Sequence, residues 1–269
     1  MSVVEMALVL LAGVGAGVIN TVVGSGTLIT FPTLVAFGVP PVTATMSNAV
    51  GLVPGNVTGS FGYRRELAGQ GFLLTRLLPA SLLGSLVGAY LLLHLPEDAF
   101  IAVVPVLLVL ALVLVVVQPP LQRWLQTRRE AAGADAVTLD TMSAGRMVVA
   151  MATVFLCGIY GGYFAAAQGI LLIGALGLLV PLALQRMNAL KNVLVLGVNV
   201  VSATTYIVVA TWGGGTHPLD WTAIALVAAG SLVGGVIGAG VGRRLPPLLL
   251  RACIVALGIV ALVNILGMR

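Results

Sequence analysis

Residues 4–37 read VEMALVLLAGVGAGVINTVVGSGTLITFPTLVAF. A long apolar run, 4–23, meets a break at Gly24-Ser25-Gly26, and a short apolar run, 27–37, follows it. A helix needs about 20 apolar residues to cross a bilayer. The first run is long enough and the second is marginal, so the pair reads as a helical hairpin whose second arm turns back. The same pattern recurs at 146–183: a long run 146–166, a break at Gln168-Gly169 and a short run 170–183. The remaining long runs are 42–62, 72–94, 98–117, 190–212, 221–241 and 247–267. Polarity does not alternate with a period of two, which argues against a membrane β-barrel.

Composition agrees. Of 269 residues, 59% are hydrophobic and 8% charged. A soluble domain carries roughly 25% charged residues. Thirteen basic and eight acidic side chains cannot cover a water-soluble surface of this length. That excludes a soluble enzyme, a nucleic-acid-binding domain and a disordered chain. The basic balance comes from few charges and reads as the cytoplasmic edge of a membrane protein. Gly is abundant, at 34, which suits close helix packing in lipid. Cys157 and Cys253 lie far apart in apolar runs and imply no disulfide framework. The N-terminus has Glu5 in place of a basic region and no small-residue cleavage site, so the first segment is expected to be structural.

Lys and Arg bias the loops that carry them to the cytoplasm. Arg64, Arg65 and Arg76 mark one loop, Arg123, Arg128, Arg129 and Arg146 a second, and Arg243, Arg244 and Arg251 a third. The turns at His94–Asp98 and Trp212–Asp220 contain neither Lys nor Arg and are placed outside. All three basic loops share one side only if each hairpin returns to the side it started from. Both termini then lie outside.

The chain repeats itself. Gly84-Ser85-Leu86-Val87-Gly88 returns as Gly230-Ser231-Leu232-Val233-Gly234, 146 residues later. Leu95-Pro96 returns as Leu245-Pro246. Gly13-x-x-x-Gly17 matches Gly158-x-x-x-Gly162, and Thr45-Met46-Ser47-Asn48 aligns with Ala189-Leu190-Lys191-Asn192. Matching loops carry opposite charge character, so the halves are expected to be inverted. The fold class is an all-α polytopic membrane protein of two inverted repeats, each a helical hairpin plus three transmembrane helices. The repeats are 1–117 and 146–269, joined by a cytoplasmic linker, 118–145. Secondary transporters are built this way, with the site near the midplane between repeats. The Gly84/Gly88 and Gly230/Gly234/Gly238 patterns are expected to serve helix packing.

No carboxylate lies in mid-span, which counts against a cation pump. Lys191 is the only lysine and sits inside an apolar stretch, with Arg186, Asn188, Asn192 and Asn199 nearby. A buried ammonium needs a partner. That partner is an anionic substrate, or else Lys191 snorkels to the surface. The hairpin tips, Gly24-Ser25-Gly26 and Gln168-Gly169, each open a helix whose N–H groups and dipole suit an anion. They enter from opposite sides and are placed to converge. Thr43, Thr45, Ser47, Asn56 and Thr58 line the helix after the first hairpin, and Ser202, Thr204 and Thr205 the helix after the second. Asn20, Asn48 and Asn192 are the preferred amide candidates. His94 and His217 fall in outer turns without intramembrane partners, and neither cysteine has a C-x-x-C neighbour. No metal or cofactor site is expected.

Gly17-Val-Ile-Asn20-Thr-Val-Val-Gly24-Ser25-Gly26, then Phe31-Pro32-Thr33-Leu34, Gly38-Val-Pro40-Pro41 and Ser47-Asn48, resemble the first signature of the sulfite exporter TauE/SafE family. Tyr160-Gly161-Gly162-Tyr163, Gln168-Gly169 and Asn188-Ala-Leu-Lys191-Asn192 resemble its second. The resemblance implies a plasma-membrane transporter that moves sulfite, organosulfonates or related anions outward. Ser25 and Gln168 depart from the family's glycine runs.

The expected protein is therefore a secondary transporter of a small anion, not an enzyme, in the inner membrane. Gly24, Ser25, Gly26, Gln168 and Gly169 would cradle the anion. Lys191 would supply positive potential, and Asn20, Asn48 and Asn192 would offer hydrogen bonds. A membrane thiol relay or assembly factor, and an anion channel, stay open as alternatives.

Overall fold

In the computed structural model, residues 1–131, 143–180, 182–212 and 218–240 are described, with single positions 255, 256, 259 and 262. Among the described residues there are nine helices and no strands. They are α1 (Val3–Val22), α2 (Thr27–Ala36), α3 (Pro41–Gly62), α4 (Gly71–His94), α5 (Glu97–Ala131), α6 (Ala144–Tyr163), α7 (Gln168–Leu179), α8 (Leu184–Trp212) and α9 (Trp221–Gly240). Six of them, α1, α4, α5, α6, α8 and α9, are long and apolar enough to cross a membrane.

Helix α3 is not one of the six, although its 22 residues are long enough. It carries Thr43, Thr45, Ser47, Asn48 and Asn56, all buried, which lower its hydropathy. It lies inside the bundle against α1, α8 and α9, so protein replaces lipid around it. The expected span 247–267 lies outside the described residues apart from those single positions.

Local chemistry sets the helix ends. Ser2 and Glu5 form a reciprocal capping box on α1, with Ser2 N donating to Glu5 Oε2 at 2.7 Å. Ser143 Oγ accepts from Arg146 N at the start of α6, and Asp220 Oδ1 accepts from Ala223 N at the start of α9. Pro41 opens α3, where its missing N–H costs nothing. Helix α8 begins at Leu184, earlier than its apolar run at 190, so Lys191 lies about two turns inside it. Helix α5 runs on through Pro119-Pro120 to Ala131, so the first part of the 118–145 stretch is helical.

Both hairpins form. Helices α2 and α7, of 10 and 12 residues, are about 15 and 18 Å long, short of a hydrocarbon core of about 30 Å. In the second hairpin Arg146 Nη2 reaches the Leu179 carbonyl at 2.9 Å, which ties the end of α7 to the start of α6. The first break falls where Gly24-Ser25-Gly26 places it, and Gly24 takes a φ of +89°. The second break lies earlier than Gln168-Gly169. Helix α6 stops at Tyr163, Phe164–Ala167 make the turn, and Gln168 and Gly169 already belong to α7. The left-handed residue there is Ala165, with φ 61°. Such a conformation costs a non-glycine residue about 1–2 kcal/mol and goes unannounced in the sequence. Tyr160's carbonyl holds the turn, accepting from both Phe164 N and Ala165 N.

Small residues decide which long helices meet. Gly13 and Gly17 of α1 lie against Val227, Gly230, Ser231 and Gly235 of α9, with the two helices running the same way. Gly84 and Gly88 of α4 lie against Phe155, Ile159 and Gly162 of α6, again in parallel. The repeated serines lock the adjacent pairs. Ser85 Oγ donates to the Val198 carbonyl of α8 at 3.0 Å, and Ser231 Oγ to the Gly51 carbonyl of α3 at 2.8 Å. Thus α1 and α3 flank α9, and α6 and α8 flank α4.

A methyl group on Gly88 would sit 2.8 Å from Tyr163 N and 2.9 Å from the Gly162 carbonyl carbon, atoms that cannot swing away. Gly88→Ala is expected to cost about 1–3 kcal/mol through overpacking. Gly71→Ala, with nothing within 4 Å, is the control. Thermal unfolding in detergent should show a lowered midpoint for the first only. Equal midpoints would remove close packing at Gly88 as a determinant of the fold.

Candidate functional site

The two hairpin tips meet. Gly169 N donates to the Gly24 carbonyl at 3.0 Å. A Cβ on either glycine would lie 2.5 Å from the other's Cα, so only glycine fits at both places. One of the N–H groups expected to face an anion is thereby spent on joining the tips.

Lys191 lies under this junction. Its Cδ would stand 3.2 Å from a Cβ on Gly24 and 2.9 Å from one on Gly169. The side chain has no exposed surface, so it does not snorkel. Its ammonium donates to the carbonyls of Asn20 at 3.1 Å and Thr21 at 3.2 Å. Those carbonyls end α1, where the helix leaves its last C=O groups without partners and carries the negative end of its dipole. A cation from the second half of the chain therefore caps a helix of the first. Two of the three ammonium hydrogens are used this way.

The amides divide into two groups. Asn20 and Asn48 are tied within the protein. Asn20 Nδ2 donates to Asn56 Oδ1, and its Oδ1 accepts from Gly26 N at 3.4 Å. Asn48 Oδ1 accepts from Thr30 Oγ1, and its Nδ2 donates to Thr27 Oγ1 at 3.1 Å. Both fasten the start of α2 to its neighbours. By contrast Asn192 Nδ2, Asn188 Oδ1, Asn199 Oδ1, Ser25 Oγ and both amide atoms of Gln168 are buried without a protein partner. A buried polar atom left unpaired costs about 1–3 kcal/mol. Ser25 and Gln168 flank the tip junction, and Asn188, Lys191 and Asn192 occupy adjacent turns of α8. Every one of these side chains is at least nine-tenths buried, so the centre is closed to solvent in this conformation.

Other candidates separate from this centre. Arg186 is half-buried at the start of α8 and donates to the Ala68 carbonyl at 2.9 Å, in the turn between α3 and α4. Gln70 Nε2 returns the tie by donating to the Arg186 carbonyl at 3.0 Å. His94 stacks on Tyr90, centroids 3.9 Å apart, at the end of α4. Cys157 is buried in an apolar cluster with Leu73, Leu77 and Val154. His217 and Cys253 lie outside the described residues. An apolar groove of about 390 Å³ between α1 and α2, lined by Leu8, Leu11, Ile29, Pro32 and Phe37, offers nothing to hold an anion.

Sequence reasoning missed Thr27 and Thr30 as the residues that hold Asn48, since threonine in an apolar helix has many uses. It also missed Ser85 and Ser231. Their signal was present, because both stand in the repeated pentapeptide read only for its glycines.

Compared with known proteins, the chain matches a family model described as sulfite exporter TauE/SafE over residues 9–265. No curated protein and no solved structure matches it.

The division of the amides is testable. Asn48→Ala strands Thr27 and Thr30 and is expected to destabilise by about 1–3 kcal/mol. Asn192→Ala removes an unpaired donor and should leave the unfolding midpoint in detergent unchanged. The reverse ranking would exchange their roles.

Proposed function

The chain belongs to the sulfite exporter TauE/SafE family, and from that premise we propose that it exports a small anion, sulfite or a sulfonate, by alternating access. It is a multi-pass membrane protein, with six helices apolar and long enough to span. The observation that carries the proposal is the sealed centre: one buried lysine beside two glycine tips, with unpaired amide and hydroxyl groups on the tips and on α8. Unpaired buried donors are costly alone and become favourable when a ligand accepts from them. Lys191 supplies the positive potential. Ser25, Gln168 and Asn192 donate to the anion. Asn20 and Asn48 act through the tip they hold.

Inversion of the halves belongs to the same proposal. Its support is the exchange of pairings: α1 with α9 answers α6 with α4, and α3 with α9 answers α8 with α4. Within each set the glycine registers run parallel, while Arg186 places the start of α8 beside the turn that ends α3. Equivalent helices would then point in opposite directions. The Arg186–Ala68 tie on one side of the centre and the Asp220 N to Ser47 Oγ bond (3.0 Å) on the other join the halves and would part alternately. The same proposal puts the first side in the cytoplasm and both termini outside the inner membrane, and its support is the bias of Lys and Arg toward cytoplasmic loops.

Trans-stimulated flux in proteoliposomes tests the reading. Internal unlabelled anion should accelerate uptake of labelled sulfite, which a channel does not do. Lys191→Gln should reduce this flux about 10- to 100-fold, since hydrogen bonds to charged groups contribute about 1.5–3 kcal/mol. Arg186→Gln should reduce it far less, and equal effects would take Lys191 out of the site. Changing Cys157 and Cys253 to serine should leave flux intact, whereas its loss would favour a thiol relay. Cysteines placed at Glu66 and Gly215 in that background should label from opposite sides of the membrane, and labelling of both from one side would end the inverted arrangement.

A further inference from the structure

We propose that the centre selects its cargo by counting charge, accepting monovalent oxyanions and refusing divalent ones. The inference rests on the anion-exporter reading above and narrows its substrate class. Among the described residues, Lys191 is the only charged side chain that is buried; no Asp, Glu, Arg or His accompanies it. What the ammonium meets from α1 is a pair of backbone carbonyls, and what its side-chain stem meets from the two tips is glycine. The other buried titratable side chains among the described residues are Cys157, Tyr63, Tyr163 and Tyr206, a thiol and three phenols. The groups left unpaired at the tips and on α8, Ser25 Oγ, the Gln168 amide and Asn192 Nδ2, are neutral. They can bind an oxyanion without changing the charge of the centre.

With Lys191 protonated, the count is +1 when the centre is empty, zero with a monoanion and −1 with a dianion. The centre is closed to water and set in apolar helices, so uncompensated charge there is expensive. Moving a unit charge from water into such a medium carries a large desolvation cost, part of which survives relaxation. The Born cost rises with the square of the charge, so a dianion starts with about four times the desolvation cost of a monoanion and meets the same single cation. A sulfonate or hydrogen sulfite leaves the loaded centre neutral and free to reorient. The empty carrier keeps its +1 and reorients slowly, so exchange outruns net flux.

The test uses the full chain in proteoliposomes, with labelled sulfite taken up against internal methanesulfonate, sulfate or sulfite. Methanesulfonate remains a monoanion and sulfate a dianion across the working pH range, while sulfite interconverts between the two forms near neutrality. Methanesulfonate inside should drive uptake at least about ten-fold faster than sulfate, a difference of about 1.4 kcal/mol. Sulfite exchanged for sulfite should slow from mildly acid to mildly alkaline pH as its monoanion fraction falls, and more steeply than methanesulfonate exchanged for methanesulfonate, whose charge stays fixed. Arg186→Gln should keep both patterns. Exchange with sulfate as fast as with methanesulfonate, or sulfite exchange that accelerates as the dianion forms, would overturn charge counting and leave the exporter reading standing. No trans-stimulated flux of any of the three anions would overturn both.

Discussion

The bond from Gly169 N to the Gly24 carbonyl is the constraint on which the structure turns. A helix that breaks inside hydrocarbon leaves backbone groups that water cannot reach, and protein must satisfy them. Here each half of the chain answers the other's need. The second tip donates to the first, and Lys191 of α8 takes the last carbonyls of α1. The approach is close enough that neither tip residue can carry a side chain. Everything central follows from it: two short helices begin in the interior, and the glycines at their starts, Gly24 and Gly169, stand next to Lys191, the one buried charge among the described residues.

The long helices serve that arrangement. Parallel glycine seams bring α1 onto α9 and α4 onto α6, and the serine beside each seam bonds to a third helix. Within lipid there is no hydrophobic drive between helices, so close backbone contact and interhelical hydrogen bonds take its place. The same economy explains α3. It is polar for a membrane helix because its neighbours are protein, and two of its asparagines, Asn48 and Asn56, spend hydrogen bonds on the first tip and the residue before it. Ser25, Gln168, Asn188, Asn192 and Asn199 keep unpaired groups on the tips and on α8, as Asn56, Ser81 and Gln118 do on α3, α4 and α5.

Most of the fold was legible in residues that report on length and polarity. The break at Gly24–Gly26 announced itself because glycine is the residue of left-handed turns. The break before Gln168 did not, because Ala165 takes that conformation under the hold of the Tyr160 carbonyl. Lys191 stood out as the sole lysine in an apolar run, yet its neighbours gave no sign of the two carbonyls it meets. Asn20, Asn48 and Asn192 read alike. The first two are tied at both ends of the amide, and Asn192 keeps an unpaired donor.

Sequence alone determined the membrane class, the helical hairpins and the short set of polar residues from which a site could be made. These depend on hydropathy, spacing and repetition, which are properties of neighbours along the chain. Tertiary structure decided which of those residues are scaffold and which are free, that the tips touch, and that the buried cation answers to α1. Those facts depend on atoms within about 3 Å of one another across separations such as the 171 residues between Asn20 and Lys191. No local pattern encodes such a meeting; it is the sum of the glycine seams that bring the two halves together.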